Sequence, residues 1–319
     1  MHFLKFPSAF FNNADSRIFS FLSFFTPLVV RVLPEVLMGR YIVGFDTISY
    51  YVPVTLKWVN DGVGFFEFMA PAPLFYALLT QLTLIGVPLT VSLKVLPPIL
   101  HGFLGLAIYF YAKKVLTWSS RDSLFVSCLT ALYFVTLRFS WDMLRAELGL
   151  IFLFVFLIVL HGGWENNRWK HYGSLLSLTV LVVLSHQLVA VIMFVIVSVF
   201  VLQGLLSRKY GAAKNLVLCS LPALVLFGLI VYADFAVFPG EDSSGWFSLF
   251  GFSSYSGIVA NTVGFLFYCY LPLLPFVLVG IRGFKNLELK LWFYLCLVAV
   301  LLSFIAPYAL FPLGYRWVL

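Results

Sequence analysis

The sequence predicts an all-α, polytopic transmembrane bundle, and three observations carry that prediction. Hydrophobic residues make up 62% of the 319 and charged residues 10%, against roughly 45–50% and about 25% in soluble domains. Apolar runs of about 17–25 residues, the length that crosses a bilayer, recur along the chain. Lysines and arginines gather between alternate runs, as the positive-inside rule requires.

The first run, 18–38, follows Lys5 and Arg17 and is not followed by a small-residue cleavage site, so it reads as a retained signal anchor. Within it Arg31 and Glu35 stand at i, i+4 around Pro34 and read as a structural pair bracing its outer end. Residues 39–90 form a long first external loop. Its part 39–73 is polar, aromatic and punctuated by proline, and the short run 72–86 is placed in the outer interface as a juxtamembrane helix. Further runs follow at 91–112, 123–139, 144–160, a short one at 172–184, then 187–206, 215–236, 258–280 and 290–306.

This choice puts the loops with Lys113, Lys114, Arg121, Arg168, Lys170, Arg208, Lys209, Lys214, Arg282 and Lys285 on the side of Lys5 and Arg17. That side is then cytoplasmic, and about nine spans are expected. Reversing the choice at either short run scatters the basic clusters over both sides. The tryptophans, among them Trp58, Trp118, Trp141, Trp164 and Trp246, fall in loops or at run ends, as interfacial belts do.

The four cysteines, Cys128, Cys219, Cys269 and Cys296, lie inside apolar runs and read as core thiols without metal spacing. A net charge of +7 reads as basic cytoplasmic loops rather than a nucleic-acid-binding face. No linker or internal repeat divides the chain, so residues 1–319 read as one transmembrane domain in the cell membrane.

The external side collects Asp46, Asp61, Glu67, Asp142, Arg145, Glu147, the Ser185-His186-Gln187 turn, Asp234, Glu241, Asp242, Tyr315 and Arg316. Acids this close to an apolar slab are functional candidates by default. In Gly44-Phe45-Asp46-Thr47, either Asp46 or Thr47 reads as the N-cap of a helix reaching about Asn60, and Asp46 also reads as a general base or metal ligand. Asp142 and Arg145 read either as a local i, i+3 ion pair or, for Arg145, as a phosphate fork at a helix start. Glu147 falls about 140° around a regular helix from Asp142.

From His171 to His186 is only about 22 Å of helix. Either His186 lies at the bottom of an outward dip or a short helix thins the bilayer locally. His186 reads as a core histidine or a ligand contact, and Arg316 as a snorkelling interfacial arginine or a site residue. Walker loops, dinucleotide glycine fingerprints, zincin helices and Gly-x-Ser-x-Gly elbows do not occur. With short basic cytoplasmic loops, any chemistry would use a membrane-borne substrate on the outer face.

Gly44-Phe45-Asp46-Thr47-Ile48-Ser49-Tyr50, Pro71-Ala72-Pro73-Leu74-Phe75-Tyr76 and Asp142-Met143-Leu144-Arg145 with Glu147-Leu148-Gly149 follow one another on one side, with Ser185-His186-Gln187 after them. This pattern resembles the GT-C membrane glycosyltransferases, relatives of the oligosaccharyltransferase catalytic subunit, protein mannosyltransferases and lipid A aminoarabinose transferases. The resemblance covers most of the chain in topology and four short motifs in residues.

It implies a polyprenyl-phosphate or polyprenyl-diphosphate (dolichol-type) sugar donor, an acceptor that is a glycan, lipid or protein, and inverting transfer on the extracytoplasmic face, with no nucleic acid among the partners. Carried over by position, Asp46 is the catalytic carboxylate. Arg145, His186, Tyr315 and Arg316 would hold the lipid phosphate, and Asp142 and Glu147 would contact substrate or metal. A Mg or Mn ion through Asp46 and Asp142 is compatible with this scheme and not required by it. The chain ends at Leu319 directly after an external loop, as a truncated or a compact member would, and it carries no Trp-Trp-Asp-like acceptor motif. Two other classes stand beside this reading: a non-catalytic membrane subunit, and a lipid transporter or flippase, which would show inverted repeats and mid-span charges.

Overall fold

The computed structural model describes residues 14–163, 169–237 and 286–305, with a few isolated positions between 264 and 280. These residues are mainly helical, with no strand among them. In chain order the helices are α1 (Ala14–Leu37), α2 (Val52–Asn60), α3 (Phe65–Met69), α4 (Leu74–Leu84), α5 (Leu89–Lys114) and α6 (Ser120–Leu132). They continue with α7 (Phe134–Asp142), α8 (Leu144–Gly163), α9 (Trp169–Ser185), α10 (Gln187–Leu206), α11 (Tyr210–Val237) and α12 (Leu287–Ile305).

Segments Ser16–Leu37, Leu89–Lys114, Leu144–Gly163, Gln187–Leu206 and Tyr210–Asp234 are long and apolar enough to cross a membrane, and α6 with α7 adds a sixth if counted as one bent span. This is the build of a multi-pass membrane protein. The nine spans expected from the sequence are not reproduced as a count. Run 258–280 falls largely outside the described residues. Run 72–86 becomes the 11-residue α4, which at about 1.5 Å per residue is too short to span.

The third run, 123–139, needs a correction. It is not one helix: α6 stops at Leu132, Tyr133 turns to φ −61°, ψ 135°, and α7 leaves at 58° to α6. Ser119 starts α6 cleanly, accepting the Asp122 backbone N–H at 3.2 Å and donating its hydroxyl to the Asp122 carboxylate at 2.6 Å.

α1 lies against α5 along a seam of small residues. A Cβ at Gly102 would sit 2.9 Å from the Phe24 carbonyl oxygen, and one at Gly105 would sit 2.8 Å from Pro27 Cγ. Close backbone approach of this kind replaces hydrophobic driving force where the surroundings are themselves apolar. The expected Arg31–Glu35 pair forms at 2.8 Å, and Lys94 of α5 adds its ammonium 3.7 Å from Glu35.

Leu153, Phe156, Leu157 and Leu160 of α8 pack with Val182 and Val183 of α9 and Met193 and Ile196 of α10 into the main core. A second core, with Tyr51, Trp58, Phe75, Tyr76, Leu79, Leu93 and Leu148, mounts the 42–84 segment onto α5 and α8. At the other end of α8, His161 Nε2 lies 2.6 Å from Glu288 of α12, whose carboxylate also accepts the Tyr111 hydroxyl at 3.0 Å.

Candidate functional site

The site grows from the meeting of two motifs that lie far apart in sequence. Gly44 has φ +104°, a backbone shape that L side chains rarely adopt. Its missing side chain lets the chain press against Trp141: a Cβ there would collide with the Trp141 carbonyl oxygen and come within 3.0 Å of Asp142 Oδ1 and Thr47 Oγ1. Thr47 donates its hydroxyl to the Trp141 carbonyl at 3.0 Å, and the Asp46 backbone N–H donates to Asp142 Oδ1 at 3.2 Å. From there the chain enters a π-helical turn, Thr47–Tyr51, that runs into α2. Insertions of this kind concentrate at functional sites.

Replacing Gly44 with Ala is expected to unseat this junction, because the strain and the clash both act on the same carbonyl. A loss of about 1–3 kcal/mol in stability is expected, read as a lower unfolding midpoint of the full chain in detergent.

The N-cap reading of Asp46 is not what the structure contains. Its side chain makes no capping hydrogen bond, and its backbone is helical (φ −63°, ψ −29°). Asp142 takes the capping part instead, from another helix. The i, i+3 pair of Asp142 with Arg145 does not form either, because α7 ends at Asp142 and a new helix begins at Leu144. Asp142 pairs with Arg138, one turn back on α7, and Arg138 also lies over the Trp141 ring.

Arg145 points to the α4 side. It donates to the Pro71 carbonyl, its guanidinium lies over the Tyr76 ring at 5.4 Å from the centroid, and its backbone N–H reaches the Tyr51 hydroxyl at 3.4 Å. No described carboxylate lies within ion-pair distance of it, although the charge of Asp234 on α11 acts on it from further away. Its Nε–H is buried and has no hydrogen-bond partner among the described residues.

The Pro71-Ala72-Pro73 turn carries Ala72 at φ +51°, fully enclosed. Arg145 holds it through Pro71 and Gln187 holds it through the Ala70 carbonyl, at 3.3 Å. His186 is the residue before α10, in extended backbone. Gly149, one turn beyond Arg145 on α8, leaves room for it: a Cβ at Gly149 would lie 3.3 Å from His186 Cβ.

Asp142 thus meets the Asp46 backbone, while Arg145 and Gln187 both hold the 70–73 turn and Gly149 lies against His186. Glu147 does not join them. It is fully buried on the α5 side, with Oε1 2.6 Å from His101 Nδ1, which corrects the expectation of a substrate contact. Tyr315 and Arg316 lie outside the described residues, as do Glu241 and Asp242.

Burial pushes the Tyr51 phenol up to about 12, with the Arg145 charge opposing it. Burial also raises the Tyr76 phenol, Arg145 lowering it and Asp46 and Tyr50 adding to the rise. The folded chain thus keeps the Tyr51 proton where the unfolded chain has lost it. The contribution is complete below the ordinary value of 10 and is lost as pH rises through about 12. Alkaline titration followed by tyrosinate absorbance is expected to contain a late component that shrinks in Tyr51→Phe.

Among the described residues no group of three His, Cys, Asp or Glu side chains converges as metal ligands do. Both Asp142 oxygens already accept from protein donors, Asp46 N–H and Arg138.

Sequence reading missed Arg138, Tyr51, Tyr76 and His101. Arg138 was visible as an i, i+4 partner of Asp142; Tyr76 stood in the Pro71–Tyr76 motif without a role, and Tyr51 was visible only as an aromatic residue of the loop. No family model, curated protein or solved structure matches the chain.

Proposed function

We propose that the chain is a membrane glycosyltransferase that moves a sugar from a polyprenyl-phosphate donor to an acceptor at the end of the bundle carrying Asp46, taken from the basic-loop pattern as the extracytoplasmic one. The observation that carries this reading is Arg145, a guanidinium with no ion-pair partner among the described residues and a buried, unfilled Nε–H. A buried cation in that state favours an anion, and a guanidinium suits phosphate oxygens in particular.

In this mechanism the donor phosphate rests on Arg145, with the His186 turn beside it. The acceptor hydroxyl attacks the anomeric carbon while the Asp46 carboxylate takes its proton. The bond from that carbon to the phosphate oxygen breaks, and the electron pair leaves on the polyprenyl phosphate. Arg145 stabilises the charge that develops there, which is the largest demand of the step. Asp142 holds Asp46 in place through its backbone and does not touch the reacting atoms. Glu147 is given no substrate role.

The test is to reconstitute the chain in lipid nanodiscs with labelled polyprenyl-phosphate sugars and follow release of polyprenyl phosphate. Release that depends on Asp46 supports the reading; its absence across monophosphate donors and simple sugar and lipid acceptors counts against it. The transporter alternative draws on one observation, the fully buried His101–Glu147 pair, since intramembrane ionisable pairs mark ion paths. Lipid flipping in vesicles that persists in Asp46→Asn would favour it.

A further inference from the structure

His101 and Glu147 take no part in that mechanism, yet both are completely enclosed between α5, α6 and α8. Nδ1 of His101 lies 2.6 Å from Glu147 Oε1, and Nε2 lies 2.9 Å from the Ala131 carbonyl oxygen. A carbonyl oxygen only accepts, so Nε2 carries a hydrogen. The contact at Nδ1 then needs one more proton. On the ring it gives an imidazolium facing a carboxylate; on Glu147 it gives two neutral groups.

The helix ends decide between these. Glu147 stands in the first turn of α8, at the positive end of the helix dipole, which favours negative charge. Ala131 belongs to the last turn of α6, whose unpaired carbonyls favour positive charge. We propose that His101 is a resident proton site: its imidazolium, held by Glu147, caps the end of α6 at the Tyr133 break and so sets the direction of α7.

A helix that breaks among apolar helices leaves carbonyls that water cannot reach, and something must satisfy them. His101 does so at Ala131. The same arrangement recurs at the other end of α7. Arg31, fully buried and paired with Glu35, donates Nε and Nη2 to the Ser140 carbonyl at 3.4 Å each. The carbonyls of Ala131, just before the bend into α7, and of Ser140, in the last turn of α7, are thus each held by a buried cation that has its own carboxylate.

What α7 carries is the seat of Asp46, through the Trp141 carbonyl and the Asp142 carboxylate. His101 is therefore a positioning residue, acting on Asp46 through α7, and this holds whatever reaction the chain performs. Other charged groups on the helices around it face other neighbours: Lys94 pairs with Glu35, Lys113 donates to Ser16, Asp122 meets Ser119 and Arg145 turns to Pro71 and Tyr76, while on α7 Arg138 pairs with Asp142.

The test has two parts on the full chain in nanodiscs. In the first, the histidine rings are labelled with 15N and the alanine carbonyls with 13C, and the His101 ring is assigned by its transfer to the Ala131 carbonyl. Two protonated ring nitrogens are expected; a bare ring nitrogen overturns the proton site, and no variant is needed to decide it. In the second, a cysteine at the exposed Phe45 position, with the four native cysteines replaced by serine, reports the seat through its rate of maleimide labelling. Glu147→Gln keeps the shape and removes the carboxylate. A several-fold change in labelling is expected, together with loss of the second ring proton. Unchanged labelling with that proton lost means the pair only fills space and overturns the positioning role.

Discussion

Asp46→Asn is expected to lower sugar transfer by about 10²–10⁴-fold, the range general-base help contributes, and to leave the fold standing. The amide has the size of the carboxylate, and the bond from the residue 46 backbone N–H to Asp142 Oδ1, 3.2 Å long, does not involve the side chain. What disappears is the group that accepts the proton from the attacking hydroxyl. The check is turnover of a polyprenyl-phosphate sugar beside the unfolding midpoint of the same preparation. An unchanged midpoint with collapsed turnover is the expected pair of results; near-full turnover would remove Asp46 from the chemistry.

Arg145→Met is expected to cost about 10²–10³-fold in turnover, the scale of losing a donor aimed at developing charge. Methionine keeps much of the length and fills the space over Tyr76 without charge. Part of the effect is structural, because Arg145 also holds the Pro71 carbonyl and with it Ala72 at φ +51°. Arg145→Lys separates the two parts. It retains a point charge and loses the planar fork, so turnover should fall between wild type and Arg145→Met. A lysine variant as poor as the methionine variant would assign the loss to the fork geometry or the turn rather than to charge.

Much of the fold was legible because the apolar runs are long and the basic residues mark their ends. The bend at Tyr133 was not, because Phe134, Val135 and Leu137 continue the apolar pattern and no proline or glycine interrupts it. That miss carried into the site. Read as one helix end, Asp142 and Arg145 looked like i, i+3 partners; with the chain turning at Met143, they face different neighbours. Gly44 and Asp46 were singled out from the sequence, but their docking on Trp141 and Asp142 joins residues about a hundred positions apart, which no local pattern encodes. His101 was hidden for a simpler reason: a single histidine in an apolar helix looks like filler until its two ring nitrogens are seen to face Glu147 and Ala131.

The measurement that bears most directly on the central claim is equilibrium binding of a short-chain polyprenyl monophosphate to the full chain in nanodiscs, wild type against Arg145→Met. The predicted result is saturable binding by the wild type that weakens at least about tenfold in the variant, the scale of a charge-assisted hydrogen bond. Equal binding by both would contradict the claim that Arg145 receives the phosphate.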